Sequence, residues 1–296
     1  MKKSRREWAL WLAENILEKD EYDRILRLRA EWQKRDTGFG YDIFGAEFES
    51  IILAYCLMRF FYLKYFRVDS YGHENIPTEG CAIIASNHSG IVPMDGAMIS
   101  IDCIRKLDPP RIPRAILEKM YANGPFSKDL MNRLGQVMGL RKNFNLLLKT
   151  GEMALVFPEG GHGNGKPFTR RYKLMPFNVG HVELSIENRA PIVPAGVIGG
   201  EEQAPILYNS EWLGKKLKTT AFPITLTWPW LGPLGLWPLP TKYYIYYGKP
   251  LRFWEEDPEA LSKPEVIRDM AGRVRAAVQN LLEEGLARRP SIFFRA

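Results

Sequence analysis

The chain has 296 residues, of which 46% are hydrophobic and 25% are charged, a balance typical of a globular protein and unlike that of a disordered or fibrous chain. Its 41 Lys and Arg residues exceed its 34 Asp and Glu residues, so the formal net charge is +7 and an anionic partner of some kind is favoured. The three cysteines show no Cys-x-x-Cys spacing, so they indicate neither a disulfide framework nor a cysteine zinc site and favour a reducing, cytosolic setting.

Residues 1–6 are basic, but the acidic residues that follow in every turn are incompatible with the apolar centre of a signal peptide. The longest apolar stretch, residues 50–66, is interrupted by Arg59 and Lys64 and is shorter than the roughly 20 residues that cross a bilayer. We therefore expect neither secretion nor a spanning helix, whereas a peripheral position on a membrane is compatible with the sequence.

Two helical patterns precede residue 67. In residues 5–35 apolar side chains recur every three to four positions until Gly38 and Gly40 end the pattern, and in residues 44–66 they form an overlapping apolar face. We expect an amphipathic helical hairpin over residues 1–66, which either packs on the main domain or docks on a membrane. The main domain is then residues 67–296, including a C-terminal helix.

From residue 67 onward, short apolar runs typical of strands alternate with helical patterns. The predicted strands are residues 66–70, 81–86, 154–158, 191–198 and 243–247, and the predicted helices are residues 95–104, 128–134 and 177–189, with a closing helix that starts at a capping box at Ser262. This alternation predicts an α/β fold with a central mixed, largely parallel sheet flanked by helices.

Residues 222–240 are unusually rich in Trp, Pro and Gly, a composition that argues against a helix or an inner strand. We expect an apolar loop there. It either folds onto the core or is exposed as an anchor in the headgroup region of a membrane, where tryptophan is favoured.

A first candidate site lies where the predicted strand 81–86 gives way to a helix, at the kind of sheet edge where open α/β folds bind ligands. Asn87, His88 and Ser89 follow the strand, and Asp95 stands at the start of the helix. A carboxylate that keeps one imidazole nitrogen protonated leaves the other able to take a proton from a hydroxyl, as acyl transfer requires. On this pattern alone, a structural cap made by His88 and Asp95 is the alternative.

A second candidate segment follows the predicted strand 154–158 and contains Glu159, Gly160, Gly161 and Lys166. Its glycines allow backbone N–H groups to approach an anion or an oxyanion, and Glu159 is placed to bind hydroxyls or to orient the first site. Arg141 follows a further short strand and is suited to a phosphate, with a solvated arginine as the alternative.

These segments, in this order and at these spacings, resemble the glycerolipid acyltransferase family, which includes lysophosphatidate and other lysophospholipid acyltransferases. Residues 87–95 resemble its Asn-His…Asp block, residues 135–141 its Gly-x5-Arg block, residues 157–160 its Phe-Pro-Glu-Gly block and residues 190–195 its closing Val-Pro block. Each block is weak evidence alone, whereas four in order are a strong signal. The resemblance covers residues 67–255.

The resemblance implies that His88 is the general base and that Asp95 orients it, with Asn87 and Ser89 as supporting residues. An acceptor hydroxyl then attacks the thioester of acyl-CoA or acyl-carrier protein directly, with no cofactor, metal or covalent acyl-enzyme. The expected function is transfer of a fatty acyl group to a lysophospholipid or related glycerolipid by a peripheral protein on the cytoplasmic face of a membrane. The residues expected to bind the acceptor or its phosphate are Arg141, Glu159, Gly160, Gly161 and Lys166.

Two features depart from the family pattern. Six residues separate His88 from Asp95 where the family has four, so the loop must bulge if the two side chains are to meet; this longer form resembles the branch near the monoacylglycerol and diacylglycerol acyltransferases. The family's Glu-Gly-Thr-Arg is Glu-Gly-Gly-His at residues 159–162, which lacks the arginine expected to hold a phosphate. Either Lys166, Arg170 or Arg171 replaces that arginine, or the acceptor is less charged.

Three other functions are compatible with parts of the sequence. A metal hydrolase would use His88, Asp95, His162 and His181, but their spacing is not one that zinc sites favour. A nucleic-acid partner is not expected, because the basic residues are interleaved with acids and no binding motif is present. The better rival is a non-catalytic, membrane-associated lipid-binding adaptor on the same fold, in which the departures reflect lost activity.

Overall fold

The computed structural model describes residues 5–89, 93–117, 127–216, 222–257 and 259–293. Within these ranges, seven strands form one sheet in the order β1-β9-β6-β2-β5-β3-β4. Two further strands, β7 and β8, pair separately as an antiparallel ribbon. The strands are β1 (Asp69–Tyr71), β2 (Ala82–Ser86), β3 (Arg114–Leu117), β4 (Val137–Met138), β5 (Met153–Val156), β6 (Ile192–Ile198), β7 (Ile206–Ser210), β8 (Phe222–Thr225) and β9 (Tyr244–Tyr247).

The sheet is mixed and largely parallel, which confirms the predicted fold class. Strands β2 to β6 all run in one direction, while β9 runs antiparallel to β6 and β1 runs parallel to β9. Because β5 and β6 flank β2, the segments that leave the carboxyl ends of these three strands emerge side by side at one edge. That edge is where the candidate residues of the sequence lie.

Helices cover both faces of the sheet. Successive side chains of β2 point to opposite faces, so Ile84 belongs to the core under the N-terminal helices whereas Ile83 and Ala85 belong to the core under the C-terminal helix. The helices are α1 (Arg5–Ile16), α2 (Lys19–Gln33), α3 (Phe48–Phe60), α4 (Met94–Lys106), α5 (Ser127–Arg133), α6 (Arg141–Lys149), α7 (Gly161–Asn164), α8 (Gly180–Asn188), α9 (Glu211–Lys216) and α10 (Pro264–Arg288).

The N-terminal region differs in detail from the sequence prediction. The single helix expected over residues 5–35 is two helices, because Glu18 is extended and α2 begins afresh with Asp20 and Glu21 in its first turn, where acidic side chains favour a helix start. The second helix begins later than expected, since the Asp42 side chain accepts hydrogen bonds from the main chain of Phe44 and Ala46 and forms a turn. It then continues as a π-helix, Phe61–Tyr65.

The N-terminal helices are tied to the rest of the fold by a buried carboxylate. Glu21 on α2 accepts hydrogen bonds from Tyr55 and Arg59 on α3 and from Arg105 on α4. The apolar faces of α1 to α3 share a continuous core with β2, β6 and α4. The boundary predicted at residue 66, between the helical region 1–66 and the main domain 67–296, stays a prediction. In the part of the chain that the structure describes, no helix has the length and apolar character needed to cross a membrane.

Residues 222–240 and the C-terminal helix agree with the sequence prediction in type but not in every detail. Residues 222–240 start with β8, contribute nothing to the main sheet and contain a 3-10 turn at Gly232–Leu236. The capping box at Ser262 is wrong: Lys263 is the N-cap residue of α10, and the Ser262 hydroxyl donates to the Glu259 carbonyl instead. Pro264 takes the first helical position, where its fixed φ is favourable, and so sets where the helix starts.

Candidate active site

Three strand ends converge to form the site. Asn87, His88 and Ser89 follow β2, Phe157 to Glu159 follow β5, and Glu201 follows β6 after two glycines. Asn87 fastens the first of these ends to the third, because its buried amide donates to the Val197 carbonyl at 3.0 Å and accepts from the Val197 N–H at 2.8 Å. This pairing continues the contacts of the sheet beyond the last residue of β2, while the supporting role of Asn87 in the reaction stays a prediction.

The predicted pair of His88 and Asp95 is formed. His88 Nδ1 lies 2.8 Å from Asp95 Oδ2, and the Asp95 side chain is fully buried in the first turn of α4. The Ser89 N–H donates to the same oxygen at 2.8 Å, and the Gly96 N–H donates to Oδ1 at 2.8 Å. The six-residue spacing therefore does not separate the two side chains. The bulge expected in the loop falls at residues 90–92, outside the described residues.

The His88 ring is held on a second side by Phe157. The two rings stack with centroids 4.1 Å apart and planes 20° from parallel, and the His88 side chain is 12% exposed. Because the Asp95 carboxylate accepts the proton on Nδ1, Nε2 carries the lone pair. The arrangement thus provides a base with a defined tautomer and a fixed ring plane, at an edge where substrate can reach it.

Glu159 and Lys166 are brought to the same place, but as part of a buried ionic cluster. Glu159 accepts hydrogen bonds from the His88 N–H at 3.3 Å, the Lys166 ammonium at 3.1 Å and the Met175 N–H at 2.8 Å. Lys166 also donates to Glu201 at 3.1 Å. Burial raises the pKa of Glu201 to about 7, although Lys166 opposes the rise. Glu201 is not among the site residues predicted from the sequence; its place directly after a buried strand and two glycines was the available signal.

Glycines permit the close approach of these segments. A Cβ at Gly200 would stand 2.1 Å from Ser89 Oγ, so the missing side chain leaves room for the Ser89 hydroxyl between the ends of β6 and β2. Gly160 has a φ of 60° and donates its N–H to the Phe157 carbonyl at 2.9 Å, and Gly161 begins the single turn α7. The glycine-rich segment is thus a tight turn beside Glu159.

Arg141 belongs to a different group of contacts. It is the first residue of α6, and its guanidinium pairs with Glu183 and Glu187 on α8. Its side chain is 53% exposed. The structure therefore neutralises this arginine with two carboxylates on a neighbouring helix, and the contacts around His88 do not include it.

The candidate metal ligands do not form a metal centre within the described residues. Among the described side chains, no three of His, Cys, Asp or Glu are grouped so that they could hold a metal ion. His181 is buried in α8 against Phe177, and burial lowers its pKa to about 4, as expected of a packing histidine. The side chain of His162 is outside the described part of the chain.

Comparisons with known proteins indicate the family of this chain. A family model described as Acyltransferase matches residues 67–198. An uncharacterized protein of Mycobacterium tuberculosis is 36% identical over 266 residues, covering 88% of this chain and 74% of that protein. An uncharacterized protein of Mycobacterium leprae is 34% identical over 271 residues, covering 91% of this chain and 73% of that protein.

A solved structure shares the fold. The 1-acyl-sn-glycerophosphate (LPA) acyltransferase PlsC from Thermotoga maritima is similar with a TM-score of 0.50 at 17% identity, covering 96% of this chain and 95% of that one. The nearness to the monoacylglycerol and diacylglycerol branch stays a prediction. The four sequence blocks, the paired His88 and Asp95 at the sheet edge, and the matches to relatives and to the family model lead to one conclusion: this chain belongs to the acyltransferase family.

Proposed function

We propose that this protein transfers a fatty acyl group from the thioester of acyl-CoA or acyl-carrier protein to a hydroxyl of a lysophospholipid or related glycerolipid. The observation that carries the proposal is the contact between His88 Nδ1 and the buried Asp95 carboxylate at 2.8 Å. Together with the stacked Phe157 ring, it supports a general base that is oriented before substrate arrives.

The chemistry follows from that base. As the acceptor oxygen attacks the thioester carbonyl carbon, its proton moves to His88 Nε2, and Asp95 stabilises the imidazolium that forms. The tetrahedral intermediate then collapses, the carbon–sulfur bond breaks, and His88 returns the proton to the departing thiolate. The products are an ester and a free thiol, and no covalent acyl-enzyme is needed. The donor thioester is a substrate, and the net charge of +7 favours its phosphates.

The ion pairs of the two predicted acceptor-binding cations bear on whether the acceptor carries a phosphate. Lys166 lies between two carboxylates, and Arg141 pairs with two others. Lys166 could reach a phosphate only by leaving one of its carboxylates, and the two carboxylates beside Arg141 weaken the attraction of this arginine for a phosphate. This supports an acceptor whose headgroup carries no phosphate near His88, while the acceptor-binding roles of Arg141, Glu159, Gly160, Gly161 and Lys166 stay predictions.

A surface of exposed apolar side chains supports peripheral binding to a membrane, which we propose on its cytoplasmic face. Residues 226–237 lie beside the π-helix, since Trp237 packs on Phe61 and donates to the Tyr65 hydroxyl at 2.9 Å. The same loop reaches the site edge, because the Leu239 N–H donates to the Gln203 carbonyl at 2.7 Å. The exposed apolar side chains that this loop and the end of α3 contribute are Leu57, Phe60, Leu226, Trp230, Leu231, Leu234 and Trp237. Tryptophan and leucine suit the headgroup region from which an amphiphilic acceptor would enter.

The decisive experiment is acyl transfer by the purified full chain. Labelled acyl-CoA, and separately acyl-carrier protein, is offered with lysophosphatidate, lysophosphatidylcholine, monoacylglycerol or diacylglycerol, and the lipid products are read by mass spectrometry. His88→Ala should lower turnover by about 10²-fold or more because the base is lost. His73→Ala, at a histidine in a 3-10 turn outside the site, is the matched control and should be unaffected.

Two outcomes would count against the proposal. Near-normal turnover by folded His88→Ala protein would contradict the mechanism. Absence of any ester product from either donor, by protein that still binds vesicles, would favour the lipid-binding adaptor.

A further inference from the structure

The buried ionic cluster joins three parts of the fold. Glu201 Oε1 lies 3.1 Å from Lys166 Nζ, which lies 3.1 Å from Glu159 Oε2, while the other oxygen of Glu159 accepts the His88 N–H at 3.3 Å. A continuous path of polar contacts therefore runs from the end of β6 to the main chain of the catalytic base. All three ionic side chains are at most 7% exposed.

The cluster also holds the segment that follows α7. Glu201 accepts the Tyr172 N–H at 3.0 Å, Glu159 accepts the Met175 N–H at 2.8 Å, and Lys166 donates to the Lys173 carbonyl at 3.4 Å. Each ionic side chain thus binds one main-chain group of residues 172–175. A displacement of Glu201 would be transmitted to this segment and to Glu159 together.

The role of Lys166 is internal. An ammonium has three N–H donors, and Glu159, Glu201 and the Lys173 carbonyl provide three acceptors. With these contacts made and its side chain 5% exposed, Lys166 has no donor left for a substrate. Glu201 consequently acts on the site through Lys166 and Glu159, and not by touching the acceptor.

The second carboxylate of the cluster accepts from Lys166 and from the Tyr172 N–H, but these contacts do not require it to be charged. One carboxylate neutralises Lys166, and a second buried charge adds a desolvation cost that a glutamine of the same shape would avoid. That cost is expressed in the raised pKa of Glu201, which burial dominates. The charge of Glu201 lowers the stability of the fold and yet contacts the residues that hold His88. We therefore expect its role to lie in the reaction.

We propose that Glu201 is a positioning residue for acyl transfer: through Lys166 it holds Glu159, and Glu159 holds the main chain of His88. This inference rests on the proposed function for its effect on turnover, and on the contacts above for its effect on His88. The chemistry at Nε2 is unchanged by it. What Glu201 sets is the place of the base relative to the two substrates.

The test compares Glu201→Gln with Glu202→Gln in the full chain. Glu202 is adjacent, also buried and also ion-paired, but its partner is Arg289, beyond the C-terminal helix, and none of its contacts with described residues lies on the path to His88. We expect Glu201→Gln to lower kcat roughly 10-fold with the acceptor KM changed less than about twofold, because a small displacement of a base is costly. Glu202→Gln should keep kcat and lower the thermal midpoint, whereas Glu201→Gln should not lower it.

A second readout does not depend on activity. Only four histidines are present, so labelling with 15N-histidine gives a small set of amide signals in which His88 is identified from His88→Gln protein. The His88 amide signal should shift in Glu201→Gln and in Lys166→Met, and it should stay in place in Glu202→Gln. Because Glu201 acts through Lys166, its substitution should add little further loss of kcat in the Lys166→Met background.

The outcomes are separable. If the wild-type chain transfers no acyl group from either donor, the proposed function fails, and the His88 amide signal still decides whether Glu201 positions it. If Glu201→Gln leaves kcat and the His88 signal unchanged, or if Glu202→Gln changes both equally, the positioning role is overturned. Full additivity with Lys166→Met would likewise show that Glu201 does not act through Lys166.

Discussion

At the scale of single residues, the Asp95 carboxylate decides which nitrogen of His88 carries the proton. Asp95→Asn should lower turnover by about 10²-fold or more, because an amide that donates to Nδ1 would leave the proton on Nε2, where the base is needed. Initial rates of acyl transfer, with folding checked by circular dichroism, measure this. Asp102→Asn is the matched control on the same helix: Asp102 is also fully buried and accepts from Tyr62 and Tyr247, yet lies outside the site. Equal losses in both variants would contradict the special role of Asp95.

Glu201 makes the stability of the fold depend on pH. Its pKa is raised from 4.5 to about 7, so the folded chain binds a proton between these values that the unfolded chain does not. The stability from that proton is present below about pH 4.5 and is lost as the pH rises through about 7. Glu201→Gln removes the titration. Its unfolding free energy relative to wild type should therefore rise by roughly 2–3 kcal/mol between pH 5 and pH 8.

Denaturant unfolding at the two pH values measures this difference. A relative stability of Glu201→Gln that does not change with pH would show that Glu201 keeps an ordinary pKa in the fold. When both proteins also carry Lys166→Met, the stability of Glu201→Gln relative to its parent should change more with pH. Loss of the neighbouring cation leaves two carboxylates together.

At the scale of elements, α2 and α3 are held to α4 by ion pairs to Glu21, whose side chain is 9% exposed. Glu21→Gln should lower the free energy of unfolding by about 3 kcal/mol, since Arg105 would lose its carboxylate partner in a poorly solvated place and Arg59 would keep only the exposed Glu18, 3.6 Å away. Equilibrium unfolding in urea checks it. Glu31→Gln on the same helix, at an exposed pair with Lys34, should change stability by less than about 0.5 kcal/mol. Similar effects of the two substitutions would contradict the anchoring role of Glu21.

Elements with strong local patterns were predictable. β2, β5, β6 and β9 are short apolar runs bounded by polar residues, and the structure places strands at all four. Strand β3 and helix α6 were missed. Arg114, the first residue of β3, is a charged side chain that is fully buried because Asp42 accepts its hydrogen bond. A strand whose buried position depends on a distant ion pair carries little signal of its own.

At the scale of the whole molecule, the apolar surface around residues 226–237 and the end of α3 faces solvent. Trp230→Ser together with Leu234→Ser, at side chains 69% and 77% exposed, should weaken binding to anionic vesicles by about 10-fold or more, because each side chain would bury apolar area in lipid. Cosedimentation with phosphatidylglycerol-containing vesicles measures it. Leu146→Ser, an exposed leucine on α6, is the control and should bind normally. Unchanged binding by the double variant would place the membrane contact elsewhere.

The fold class, the family and the pairing of His88 with Asp95 could be predicted from the amino-acid sequence, because they depend on local apolar periodicity and on short blocks whose residues stand next to strand ends. The pairing of the charged side chains could not be predicted in this way. Lys166 and Glu201 are far apart in the chain and come together because β5 and β6 both flank β2, and Arg141 is neutralised because α6 packs beside α8. The partner of a charged side chain is set by sheet order and helix packing, and no local pattern encodes that choice.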